Sequence, residues 1–185
     1  TRGRRLSGLY SWSGLLLAAL LLGCQTLAPA FAALPALQAW IDATPPGGTL
    51  TLPAGHYAGP VVISRPIHID GRQQVTVDGG GQGTVITLRA SGSSLRGLHI
   101  TNSGDSHDRL DSALLLENSN ANLIADNQID KVMFGITLQQ ANDSRLLNNR
   151  IRSKPYELAD RGDGIRLWYS TGNRIENNDI NTIRD

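Results

Sequence analysis

Asn122-Leu-Ile-Ala-Asp-Asn-Gln-Ile129 is followed along the chain by Ser144-Arg-Leu-Leu-Asn-Asn-Arg-Ile151 and then by Asn173-Arg-Ile-Glu-Asn-Asn-Asp-Ile180. Each copy sets an aliphatic residue, an asparagine three positions later and an isoleucine two after that: Ile124/Asn127/Ile129, Leu146/Asn149/Ile151 and Ile175/Asn178/Ile180. The copies lie 22 and 29 residues apart. A second apolar run keeps step at the same two spacings: Ala113-Leu-Leu-Leu116, Gly135-Ile-Thr-Leu138 and Gly164-Ile-Arg-Leu167. From this run to the next copy the gap is constant at 8 residues, so the length variation falls at one corner, ahead of Ala113 and Gly164.

Self-similarity at such a period marks a stack of equivalent coils. Apolar residues alternate within each short run, as half-buried strands require, and no run is long enough for a helix. A single coil cannot bury its inward face, but coils stacked about 4.8 Å apart can, by parallel strand pairing and by layering like side chains on like. The pattern predicts an all-β chain, a right-handed parallel β-helix of 22–31-residue coils. Asn127, Asn149 and Asn178 are then expected to align as a ladder at a turn, each amide bonding the next. Weaker repeats reach back through Leu95/Leu98/Ile100, with Ile67-His-Ile69 lying 31 residues before Leu98-His-Ile100, to Thr49.

The ends read differently. Residues 1–32 have the form of an export signal, with Arg2, Arg4 and Arg5 before the apolar Leu15–Leu22 stretch and a small-x-small site at Ala30-Phe-Ala32. Cleavage after Ala32 is the reading taken. Lipidation of Cys24, in the lipobox-like Leu21-Leu-Gly-Cys24, is the alternative. Either places the chain in the periplasm, and the apolar stretch is too short to span a bilayer comfortably. Without residues 1–32 the chain keeps 14 basic and 16 acidic residues, a net charge of −2, which argues against general nucleic-acid binding. Leu34, Leu37 and Ile41 fall on one helical face, so a short N-terminal cap helix is expected, with Trp40 helping to close the first coil. Residues 33–185 are expected to form the N-terminal part of a longer β-helix, because Ile183-Arg-Asp185 follows directly on a complete repeat.

Three steps, Thr49-Leu-Thr-Leu-Pro-Ala-Gly-His-Tyr57, Ile67-His-Ile-Asp-Gly71 and Val75-Thr-Val-Asp-Gly79, with Gly162-Asp-Gly-Ile-Arg-Leu-Trp-Tyr-Ser170, resemble the NosD family over about residues 34–185. That resemblance implies a non-enzymatic accessory protein of the periplasm. It implies work with the membrane subunit of an ABC transporter, and supply of sulfur or copper to the copper–sulfur centre of nitrous oxide reductase.

Loops on a rigid stack can vary without breaking it, so the variable corner is the expected seat of function. Two insertions, Ser103–Asp111 and Lys154–Gly162, flank a short corner bearing Met133 and Phe134. Asp105, His107, Asp108, Asp111, Met133, Tyr156, Glu157, Asp160 and Asp163 are expected to share one surface. Copper(I) prefers thioether and imidazole ligands, which nominates His107 and Met133. His68 and His99, if the 31-residue relation is a register, stack on neighbouring strands as a second metal option. The alternative for both sets is a solvated surface. On the strand Ile165–Trp168 the inward residues are Ile165 and Leu167, leaving Arg166 and Trp168 outward with Tyr169 next to them, a candidate partner surface. A different class of function, a polysaccharide lyase or C5-epimerase, is suggested by Asp105-Ser-His-Asp108. That run is similar to an epimerase motif in which a proline stands where this chain has Ser106.

Overall fold

The computed structural model describes residues 33–184. The expected export signal, residues 1–32 with Cys24, lies outside them. From Gly48 onward the chain winds as a parallel β-solenoid of about five turns. The first coil holds β1 (Gly48–Leu50), β2 (Gly55–Ala58) and β3 (Val61–Ile63). In the second, β4 (Ile67–Asp78) bends through two faces and β5 (Ile86–Leu88) forms the third. The third coil repeats this with β6 (Ser94–Thr101) and β7 (Ser112–Glu117). The fourth has β8 (Leu123–Ala125), β9 (Gln128–Val132) and β10 (Phe134–Gln139). The fifth has β11 (Arg145–Leu147), β12 (Arg150–Ser153) and β13 (Ile165–Trp168). Strands β14 (Arg174–Glu176) and β15 (Asp179–Asn181) begin a sixth.

Every strand pairing is parallel, and the coils stack in three columns. Like meets like along each. Ile69, Leu95, Ile124, Leu146 and Ile175 form one inward file. Val77, Ile100, Ile129, Ile151 and Ile180 form the second. Ile63, Leu88, Leu116, Leu138 and Leu167 form the third. The files are fully buried through the middle of the rod. Each such side chain contributes about 1.5–3 kcal/mol on leaving water, and β-branched residues suit the pleat.

Two expectations are corrected. In-register residues of successive coils lie 19 residues apart at the first step (Gly48 under Ile67) and up to 29 later, so the shortest coil is below the expected range. The 31-residue relation is not a register: His68 lies against Ser94, and the strand beside Leu98-His-Ile100 is Val75-Thr-Val77. The reason is a bulge in β4, where Gly71 to Gln74 stand opposite the single Gly97. The backbones meet closely there, since a Cβ on Gly71 would lie 2.5 Å from the Gly97 carbonyl oxygen. Both alternating runs of β4 fit the hydrophobic pattern, so the pattern alone cannot choose between them. Length variation therefore occurs at this corner as well as at the insertion corner.

The cap helix is α1 (Leu37–Ala43), which buries Leu37 and Ile41. Trp40 does not close the first coil: it is 42% exposed, and Leu34, ahead of the helix, is 41% exposed. Gln38 does that work. Its Nε2 donates to the Val62 carbonyl at 3.0 Å and its Oε1 accepts from the Val62 N–H at 2.8 Å. The side-chain amide thus stands in for a peptide of the missing neighbouring strand, which satisfies the open edge of β3.

Candidate functional site

Two polar ladders set the corners on which the outward residues sit. Asn127 Nδ2 donates to Asn149 Oδ1 at 3.0 Å, and Asn149 Nδ2 donates to Asn178 Oδ1 at 2.9 Å. The same oxygens accept backbone N–H groups of Asn127 (3.1 Å) and Asn149 (2.9 Å), while the amide nitrogens also donate to the carbonyls of Leu95, Ile124 and Leu146. A second ladder, which the sequence reading passed over, runs through Ser93, Asn122, Ser144 and Asn173, each side chain accepting a backbone N–H of the coil before it. Its members from Asn122 on are the first residues of the three repeat copies, so the same 22- and 29-residue spacing carried the signal.

The insertion corner is built over the short turn at Met133 and Phe134, both buried. The loops of the third and fifth coils reach across the fourth and meet. Lys154, 9% exposed, donates to the Ser103 carbonyl at 2.7 Å and forms an ion pair with Asp105. The Tyr156 hydroxyl donates to the same Asp105 oxygen at 3.1 Å. His107 Nε2 donates to the Asp160 carbonyl at 3.1 Å, and its ring meets Phe134 edge-on, centroids 5.6 Å apart. The acceptor is a carbonyl, so Nε2 carries a proton. Asp105, His107, Met133, Tyr156 and Asp160 line a cavity of about 300 Å³.

The Lys154 hydrogen bond, assisted by Tyr156, holds the Asp105 carboxyl below the usual carboxylate range despite some burial. Burial, with the Asp105 carboxylate, raises Tyr156. Lys154 was not among the residues singled out from sequence; a lone lysine opening a loop gives no sign that it will turn inward. Other members of the expected surface go elsewhere. Asp111 is buried and accepts from the Ser106 N–H at 2.9 Å, holding its own loop. Asp163 pairs with Arg166 at 3.4 Å and Arg184 at 2.9 Å, away from the cavity. Asp108 and Glu157 are exposed.

The two histidines offered as a stacked pair are not adjacent. His68 Nδ1 contacts Ser94 Oγ at 3.0 Å. His99 bridges Thr76 Oγ1 (3.3 Å, Nδ1) and Asp130 (2.9 Å, Nε2) across three coils. Burial acts to raise Asp130, but hydrogen bonds from Thr101 and His99, with the His99 charge and Gln128, outweigh it and hold the group low.

On the third column Arg166 and Trp168 face outward beside Thr137 and Gln139. Trp168 is 51% and Tyr169 78% exposed. Their rings meet edge to face at 5.4 Å and 89°, and the Arg166 guanidinium lies 5.6 Å from the indole centroid.

Strand order, asparagine ladder and loop-built corner define a parallel β-solenoid that carries variable loops on one edge. The family described as "Periplasmic copper-binding protein (NosD)" matches residues 56–185. The chain belongs to the NosD family. It is 34% identical over 185 residues to a Pseudomonas aeruginosa protein named "Probable ABC transporter binding protein NosD", covering 98% of this chain and 41% of that protein. A Stutzerimonas stutzeri protein of the same name is 26% identical over 136 residues, 72% of this chain and 31% of that relative. The chain thus spans well under half the length of these relatives. No solved structure matches it. Among the described residues no helix is long and apolar enough to cross a membrane.

The family's copper has no fitting ligand set in this corner. The Asp105 carboxylate is neutralised by Lys154, whose ammonium would repel a cation, and Met133 and His107 are left as two donors. His68 and His99 stand apart. Among the described residues no group of three or more His, Cys, Asp or Glu is disposed to hold a metal ion.

Proposed function

We propose that this chain is the scaffold portion of a periplasmic accessory protein that works with an ABC transporter in assembling the copper–sulfur centre of nitrous oxide reductase. The observation that carries the reading is the family match over residues 56–185, on a chain that closes into the solenoid which that resemblance implies. The relatives' printed names support the transporter association. The role is non-enzymatic: Asp105 and His107, the residues an epimerase-like site would need free, are spent on joining the two insertion loops. The outward Arg166, Trp168 and Tyr169 patch serves as the partner-facing surface, with Asp105, Asp108 and Asp163 fixing or fringing the loops beside it. Copper passes through the assembled system and is not held at the insertion corner.

The test is isolation of the reductase from a strain lacking this gene. Enzyme deficient in the copper–sulfur centre, restored by the intact gene, is the expected result. Fully loaded, active reductase from the deletion strain would remove the assignment. Incubation of the purified protein with alginate or pectate is the companion assay, and turnover that disappears in His107→Ala would move the chain to the lyase or epimerase class.

A further inference from the structure

The corner that leads from the third column back to the first does not keep one length. Five residues lie between Leu88 and Ser94 in the second coil, but six lie between their in-register counterparts in the next three: Leu116 and Leu123, Leu138 and Arg145, Leu167 and Arg174. The fourth and fifth coils, with corners of equal length, show how the corner closes. Asn173 Nδ2 donates to the Ala141 carbonyl at 2.8 Å, the Ala141 N–H donates to Ser170 Oγ at 3.0 Å, and the Ser144 N–H donates to Asn173 Oδ1 at 2.9 Å. The second and third coils carry the same residue types at the same places ahead of the first-column strand: Ala90 and Ser93 below, Ser119 and Asn122 above. There only the last of the three bonds forms, from the Ser93 N–H to Asn122 Oδ1 at 2.8 Å. Asn122 Nδ2 and Ser119 Oγ have no partner among the described residues, although the two residues are 1% and 0% exposed.

The shorter corner is the cause. Counted back from the first-column strand, Ser119 stands over Ala90. Counted forward from Leu88, it stands over Ser91, whose Oγ accepts the Asn120 N–H at 2.8 Å. One missing residue makes the two counts disagree, so the side chains that close the longer corner directly do not reach the backbone here. Buried polar groups are nearly always bonded, and two orphans at one corner call for a third party. That party must be small, must accept from an amide N–H and must exchange a hydrogen bond with a hydroxyl. A cation would meet the amide protons head-on, and an anion would give up its hydration for two neutral donors. Water satisfies both atoms. We propose that an ordered water is built into this corner between the second and third coils, accepting from Asn122 Nδ2 and bonded to Ser119 Oγ. It stands where the longer corners have their extra residue, and it supplies the coil-to-coil link that Asn173 and Ser170 make by direct contact. Coils are stacked on both sides of this corner, so the site is internal to the rod.

The inference goes beyond the functional reading above and does not rest on it. A crystal structure of the full-length protein is the direct test. The expected result is a solvent peak within about 3.2 Å of both Asn122 Nδ2 and Ser119 Oγ. A direct bond from Asn122 Nδ2 to the Ala90 carbonyl, or no peak in reach of both atoms, would overturn the proposal. Urea unfolding of Ser119→Ala reads the same site in solution. Alanine already occupies this position in the coils on either side, as Ala90 and Ala141, so the fold accepts it. Deleting an unbonded buried hydroxyl should favour the folded state, whereas deleting one that anchors a water should disfavour it. Ser119→Ala is therefore expected to lower the folding equilibrium constant about fivefold. A constant that is unchanged or raised would show that the hydroxyl holds nothing, and the proposal would fall.

Discussion

Replacing Asn149 is the sharpest test of how the coils hold together. The side chain is fully buried and makes four hydrogen bonds: Oδ1 accepts from the Asn127 N–H (3.1 Å) and Asn127 Nδ2 (3.0 Å), and Nδ2 donates to Asn178 Oδ1 (2.9 Å) and the Ile124 carbonyl (3.0 Å). Asn178 Oδ1 keeps the Asn149 backbone N–H as a donor, so its loss is partial. Asn149→Ala leaves the Asn127 N–H and one Asn127 amide proton without partners, while the Ile124 carbonyl loses its side-chain donor but stays in the β8–β11 ladder. Each orphaned group costs about 1–3 kcal/mol, and one water admitted to the vacated space recovers part, so the net is about 3 kcal/mol. That is a large share of the roughly 5–15 kcal/mol that keeps a domain folded. Asn149→Asp refines the test. An ionised carboxylate satisfies the two Asn127 donors but faces the Ile124 carbonyl and Asn178 Oδ1, which are acceptors. The folded-state pKa is therefore raised above the unfolded value of about 3.9. The variant should be most stable below that value and lose stability as pH rises through its folded pKa. Urea unfolding followed by circular dichroism, near pH 4 and pH 7, measures both. An Asn149→Ala loss under about 1 kcal/mol, or an Asn149→Asp protein indifferent to pH, would refute the ladder as a source of cooperativity.

Lys154→Met should uncouple the two insertion loops. Asp105 is largely exposed and can be solvated, so the cost is held to about 1–2 kcal/mol, and the expected signature is faster amide exchange confined to residues 103–111 and 154–162. Asp130, with its pKa held below the unfolded value, lends stability above about pH 3.9 that is lost as pH falls through its folded pKa; acid titration of Asp130→Asn should show a flatter profile than the parent. Ile41→Ala should cost about 2–5 kcal/mol while Trp40→Ala costs under about 0.5, a contrast that thermal unfolding resolves. Gln38→Leu, which removes the amide from the edge of β3, should increase concentration-dependent association in light scattering, and a monodisperse variant would show the edge to be protected in another way.

The repeat made the columns from Leu95 onward legible, because two motifs kept the same 22- and 29-residue steps and therefore shared one register. Ahead of Leu95 that help ran out. Ile67-His-Ile69 and Val75-Thr-Val77 are equally good partners for Leu98-His-Ile100 by pattern. The decision lies in the bulge between them, which depends on the close approach of Gly71 and Gly97 and leaves no periodic trace. At the cap, helical spacing located Leu37 and Ile41, but the aromatic residue drew attention from Gln38, whose role depends on the direction of one amide toward Val62. The insertion corner could be located from spacing. Its wiring could not, since the pairing of Lys154 with Asp105 links residues 49 apart whose loops have no repeat partner.

The loops of the third and fifth coils touch over the head of the fourth. A plain stack is a beam whose slabs grip only the slab above and below, so damage in one splits it there. Here a strap passes around one slab and ties its two neighbours. Opening the fourth coil must either break that strap or carry three coils with it; across the third coil a lighter tie does the same work, the 2.6 Å hydrogen bond from Gln73 Nε2 to the Asp126 carbonyl.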